Sequence, residues 1–248
     1  MAGGKTPGQE AEVQVNDDLD ATPRGSAAPP RISPLAVAGL RLAARPDADG
    51  IAGLVLDALV PAFADAAAVY GAEQLLRGGA PSPDDGGRVA VRRLGIRCGR
   101  AAPPEEIFPG IFPDGEVVVL DPGTPAGQCM RSGEPVAFTW PGSRLSGRVR
   151  PAARAALSRF ESFLAVPMIT DGATAGFVAL ALRPGRTRVG DGETAAIGIL
   201  AAHAGTGIAA SVAMARHRVL ADSLQRGLVS VEPARPRGLE VAGRCLPV

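Results

Sequence analysis

Three cysteines, two histidines and a run of arginines are the side chains of this 248-residue chain suited to covalent, metal or ionic chemistry. Cys98, Cys129 and Cys245 are odd in number and far apart, with no Cys-x-x-Cys pair. Neither a disulfide framework nor a thiolate zinc site is expected from them, and His203 and His217 add too few ligands to change that. A thiol acts as a nucleophile only as its thiolate, which requires a lowered pKa and access. Cys129 is the candidate for that role; the alternative is a small buried hydrophobe. His203 falls in a long apolar segment and is expected at its packed face, whereas His217 lies between Arg216 and Arg218 and is expected in solvent. The stretch 144–159 is arginine-rich. Arg154 within it and Arg131 upstream are candidates to hold an anionic group at the mouth of an apolar cleft, against the alternative of a solvated, ion-paired face. Phe138, Trp140 and Phe160 are candidates to line that cleft; ordinary core is the alternative. Gly-x-Ser-x-Gly, a Walker loop and a dinucleotide glycine turn after a strand do not occur, so those routes to hydrolysis or phosphate binding are not expected.

Composition narrows the partners. Net charge is +1 and the only tyrosine and tryptophan stand alone, so neither electrostatic capture of nucleic acid or anionic lipid nor base stacking is expected. The N-terminus lacks the apolar core of a signal peptide, and no apolar run of roughly 18 residues free of charge or proline is read, so no membrane span is expected. Reduced thiols and the missing leader point to a cytoplasmic protein.

The elements that must position these side chains follow from periodicity. Residues 1–33 are polar and rich in Gly, Pro, Asp and Ala, a composition that cannot offset its ordering entropy. Asp47 or Asp49 caps a helix with Ile51, Leu54, Val55, Ala58 and Leu59 on one face. Strands are read over 66–76, 88–97, 116–120, 134–140, 162–169 and 174–182, the last two joined through Asp171-Gly172. Thr124 caps a short helix with Pro125 at its first position and Gly133 at its end. A third helix covers 151–160. A final helix begins near Gly192 and runs to about Leu228, with Ile197, Leu200, Ala204 and Ile208 in one stripe.

Four segments in order carry a resemblance. Asp121-Pro122-Gly123-Thr124-Pro125, Cys129-Met130-Arg131-Ser132-Gly133-Glu134-Pro135-Val136, Phe163-Leu164-Ala165-Val166-Pro167-Met168 and Ala175-Gly176-Phe177-Val178 resemble the corresponding motifs of GAF domains. The likeness extends over about 47–213. It implies an α/β (α+β) fold: a central antiparallel sheet of five or six strands, helices packed on one face, and a long C-terminal helix. It also implies a sensory or regulatory role rather than catalysis, with no cofactor, and places Cys129 on the helix that walls the ligand cavity. The cyclic-nucleotide signature of some members is absent, the histidine that accompanies a bilin-bearing cysteine is missing, and no cysteine precedes Ser162 where the sulfoxide reductases of this fold carry one. Further on, 218–228 and 238–247 resemble the linker and first strand of metal-dependent serine phosphatases of the sporulation type (PPM family) in actinobacteria. The metal-binding aspartates of that family would follow Val248.

These readings divide the chain into a tail (1–33), a sensor domain (34–216) and a linker helix with the start of a phosphatase domain (217–248). The expected partners are a small molecule, a second copy of the chain, or a phosphatase domain. A ligand-free dimerisation module and a GAF-fold enzyme using Cys129 are the alternatives.

Overall fold

The computed structural model describes residues 33–42, 47–99, 111–139, 151–186 and 188–229. The N-terminal tail, the phosphatase-like segment 238–247 and the first part of the arginine-rich stretch, 144–150, lie outside these residues.

Two helices pack on one face of a sheet, and a third packs on them. α1 (Ser33–Leu42) buries Leu35, Ala38 and Leu42, a three-and-four spacing in an Ala-rich segment that composition disguises. α2 (Ala48–Leu59) starts where expected: the Asp47 carboxylate accepts the Gly50 N–H, and Ile51, Val55, Ala58 and Leu59 are buried. The long α6 (Asp191–Val229) lays Ile197, Leu200, Ala201, Ala204 and Ile208 against the sheet. Contrary to the sequence reading, α6 does contain an apolar window of helix length, with mean hydropathy 1.6. A third of that window is buried. A Cβ on Gly205 would sit 3.1 Å from Met168 Cβ, so the glycine lets the helix backbone approach the sheet. His203 is exposed rather than packed, with its ring beside Gly39 of α1.

The sheet has six strands in the order β3-β2-β1-β6-β5-β4: β1 (Ala66–Ala72), β2 (Val89–Cys98), β3 (Val117–Leu120), β4 (Val136–Thr139), β5 (Ser162–Thr170) and β6 (Ala173–Leu182). All pairings are antiparallel. The β5–β6 hairpin turns at Asp171 and Gly172, both at positive φ (49° and 75°), as a two-residue hairpin turn of the primed type demands. Val166 pairs Val178 and Met168 pairs Gly176. Leu164, Val166 and Met168 enter the helix-side core, while Phe163 and Ala165 face the other way. Burial on both faces explains why these strands read as continuous apolar runs.

Two short helices cover the opposite face, where the sequence reading placed none: α4 (Pro125–Ser132) and α5 (Pro151–Leu157). The strand read over 66–76 ends at Ala72, and α3 (Glu73–Leu76) follows. Its Glu73 carboxylate accepts from Arg77 Nε at 2.7 Å and from Arg92 Nε and Nη2 at 2.8 and 2.6 Å, and these bonds turn the chain out of the sheet.

Asp65 ties three strand ends together. Its backbone N–H donates to Ala181 O and its carbonyl accepts from Gly99 N. One carboxylate oxygen accepts the Arg183 N–H and the other accepts Arg186 Nη1, both at 2.9 Å. Asp65→Ala leaves the Arg183 N–H and the half-buried guanidinium without these acceptors. It should lower unfolding free energy by about 2 kcal/mol in chemical denaturation.

Candidate functional site

The face opposite the long helix is built differently from the helix side. Ala66 and Ala68 of β1 and Ala179 and Ala181 of β6 put methyl groups where larger side chains would otherwise meet, and Phe112, Phe160 and Phe163 close over them. A small cavity of about 80 Å³ remains between these alanines, the aromatic rings, Ile96, Leu157 and Tyr70. Phe160 and Phe163 meet edge to face at 6.1 Å, and Phe138 stacks on Phe163 at 5.0 Å.

One end of this cavity is polar. Tyr70 stacks on Phe177 at 4.8 Å, and its hydroxyl oxygen accepts from Arg93 Nε at 3.1 Å. Arg93 is only 2% exposed. Its Nη1 donates to Pro113 O and to a Glu116 carboxylate oxygen, each at 2.9 Å, and its guanidinium lies 5.2 and 5.1 Å from the Tyr70 and Phe112 rings. Burial works against this charge, but the interactions with Tyr70 and Glu116 outweigh it and raise the pKa. The group is therefore a permanent, compensated cation.

Arg93 reaches this face through an irregularity in β2. Val69 pairs Gly95, yet Tyr70 pairs Arg93, so Leu94 is the extra residue of a β-bulge. Val91 and Arg93 thus share a face with Ile96 and Cys98. The sequence does carry a signal for this: the apolar positions Val89 and Val91 are odd while Ile96 is even, a break in the two-residue period.

The structure separates the residues singled out by type and spacing. Phe160 lines the cavity and Phe138 packs in the same cluster. Phe138 also borders a larger groove, about 260 Å³, at the outer edge of β4 and β5, where Arg188 is the cation. Arg131 and Arg154 are exposed, and neither lines the cavity or that groove. Trp140 lies outside the described residues. Cys129 sits in the neighbouring cluster with Met130, Ala165 and Phe177 and is fully buried. α4 holds it there: Thr124 Oγ1 accepts the Gly127 N–H, Pro125 opens the helix, and Gly133 ends it at φ 69°. Burial pushes the Cys129 thiol up to about 12, the opposite of what a nucleophile needs. Burial likewise pushes Cys98 up to about 11, against a smaller downward pull from Arg183. In native protein Cys129 should resist iodoacetamide and become labelled only after unfolding, as peptide mass spectrometry would record. Among the described residues no group of three or more His, Cys, Asp or Glu is placed to hold a metal. Sequence reasoning missed Tyr70, Arg93, Phe112 and Phe163.

Solved structures share this fold. The GAF domain of a phosphoenolpyruvate-protein phosphotransferase from Coxiella burnetii superposes with a TM-score of 0.51 at 18% identity, covering 77% of this chain and 96% of that one. The corresponding Acinetobacter domain gives 0.50 at 13% identity, with 75% and 97% covered. A bacteriophytochrome from R. palustris gives 0.53 at 12% identity over 82% of this chain but only 43% of its own. At these identities the likeness is one of fold. No curated protein is significantly similar to this chain. The family profile described as "GAF domain" matches residues 46–209, which span the described strands, the cavity and the sheet-packed half of α6. This chain belongs to the GAF domain family, a fold of sensory and regulatory modules.

Proposed function

We propose that this is a cytoplasmic regulatory domain in which a small molecule in the Tyr70–Phe160 cavity biases the position of α6. The observation that carries this reading is the placement of cavity and helix on opposite faces of the same strands. β1 and β6 supply the alanine floor of the cavity, and Val69, Val178 and Leu180 of these strands belong to the core that α6 covers. β1 continues into α3, and the turn after α3 is held to α6, with Arg216 Nη1 donating to the Gly78 carbonyl. A shift of β1 therefore has a short mechanical route to the emerging half of the helix. Coupling of this kind requires the ligand to bind two helix positions unequally.

The output is a partner that reads α6. Val219, Leu220 and Leu224 are 62, 58 and 68% exposed, and a groove of about 380 Å³ runs beside Val212, Ala215, Val219, Leu220 and Leu76. A second copy of the chain suits this apolar side. The resemblance of 218–228 and 238–247 to the PPM-phosphatase junction supports a phosphatase domain as the regulated partner. A second reading, a ligand-free dimerisation module, is favoured by the cavity volume, which is well below the roughly 300 Å³ of ordinary small-molecule sites.

Native mass spectrometry of freshly purified protein separates these readings. The sensor reading expects a dimer carrying an extra small mass, or one that takes up added ligand. A dimer that never binds a small molecule leaves the dimerisation module, and a monomer without ligand removes both.

A further inference from the structure

The polar end of the cavity specifies what it can hold. This argument rests on the ligand-binding reading above and carries it to a chemical class. Tyr70 is the one lining residue whose side chain has a polar atom. Its oxygen already accepts from Arg93 Nε, and among the described residues no acceptor takes its hydroxyl proton. The hydroxyl is therefore left as a donor, polarised by the guanidinium beside it. Arg93 itself is not offered as a bare cation, because Glu116 and the Pro113 carbonyl occupy Nη1 and the Tyr70 and Phe112 rings flank it. A carboxylate entering the cavity would lose its hydration without a free counter-charge, a poor exchange. An apolar ligand lacking an acceptor would shield the phenol from water and leave its proton unsatisfied. About 80 Å³ of room favours a compact molecule.

We infer that the cavity takes a compact, neutral, largely hydrocarbon molecule bearing one carbonyl-type acceptor, which Tyr70 Oη–H engages while Arg93 orients the phenol. Arg93 is thus a positioning residue and Tyr70 the contact.

Three ligands of one ring size test this: cyclopentanone, cyclopentane and cyclopentanecarboxylate. Each is titrated into protein with ¹³C-labelled phenylalanine rings, because Phe112, Phe160 and Phe163 report occupancy in wild type and in Tyr70→Phe alike. One hydrogen bond is worth roughly 3- to 10-fold in Kd. Cyclopentanone should weaken by that factor in Tyr70→Phe, cyclopentane should change less than twofold, and the carboxylate should bind more weakly than the ketone to wild type. Equal responses of ketone and hydrocarbon to the substitution, or tighter carboxylate binding, would overturn the ligand class and leave the cavity as a site. No shift of any phenylalanine signal at the solubility limit would instead remove the ligand-binding reading itself. If Tyr70→Phe does not fold, the wild-type protein still decides. Tyr70 is its only tyrosine, so a single ring ¹³Cζ signal must move with ketone and stay with hydrocarbon; the same movement with both sinks the inference.

Discussion

Gly176→Val should be the most damaging single substitution in the domain, costing about 3 kcal/mol or more and lowering Tm by roughly 6–12 °C. β1 and β6 approach each other at a glycine pair, Gly71 opposite Gly176. A Cβ at 176 would lie 2.0 Å from the Tyr70 carbonyl oxygen and 2.9 Å from Gly71 Cα. Both are backbone atoms of a paired strand, so neither can move aside without breaking the ladder that carries the cavity floor. Met168 Cε, 2.6 Å from the same point, closes the remaining space. Gly53 is the control. It lies inside α2 with nothing within 4 Å of an added Cβ, so Gly53→Ala should stabilise by about 0.5–1 kcal/mol. Thermal melts of the two variants beside wild type would check both signs.

The second large effect concerns Glu73. Bidentate hydrogen bonding from Arg92 comes first, then Arg77 and their charges, and together they outweigh burial and hold the carboxyl at about 2, well below its ordinary 4.5. A folded carboxyl that holds its proton less tightly than the unfolded one stabilises the fold above about pH 4.5 and loses that contribution as pH falls through 2. Arg77 is 74% and Arg92 38% exposed, so solvent screens part of the effect. Glu73→Gln keeps the size and removes the charge. It should cost about 2 kcal/mol at pH 7 by urea denaturation, and the gap from wild type should narrow between pH 4.5 and pH 2. A gap independent of pH would mean that packing, not charge, holds α3 in place.

What could be read from the sequence and what could not divide along one line. Signals that lie within a few residues were legible: the Asp171-Gly172 turn, the Thr124-Pro125 start and Gly133 stop of α4, the Asp47 cap. These fixed the hairpin and the order of the elements, and the family resemblance did the rest. α1 was missed because Leu35, Ala38 and Leu42, buried among the described residues, do not form a continuous apolar run, and α3 because its stability comes from Arg92, nineteen positions away. The site depends on still longer pairings. Phe160 was singled out because aromatic residues are few, and it lines the cavity. Tyr70 was passed over as solitary, although solitude says nothing about what β2 brings beside it. Arg93 lay unremarked within the strand read over 88–97, and only the bulge at Leu94 brings it to the cavity side of the sheet. Cys129 looked like a site because of its position, and burial makes it core.

The central claim is that the two faces of β1 communicate: the cavity on one side and α6 on the other. Ala68→Leu tests it without any ligand, because the larger side chain fills the cavity from β1 itself. Amide hydrogen exchange should then change at the α3 turn and along α6 from Val212 to Leu224, not only at the strands that line the cavity. Exchange altered at β1, β2 and β6 alone, with the emerging half of α6 untouched, would contradict the account.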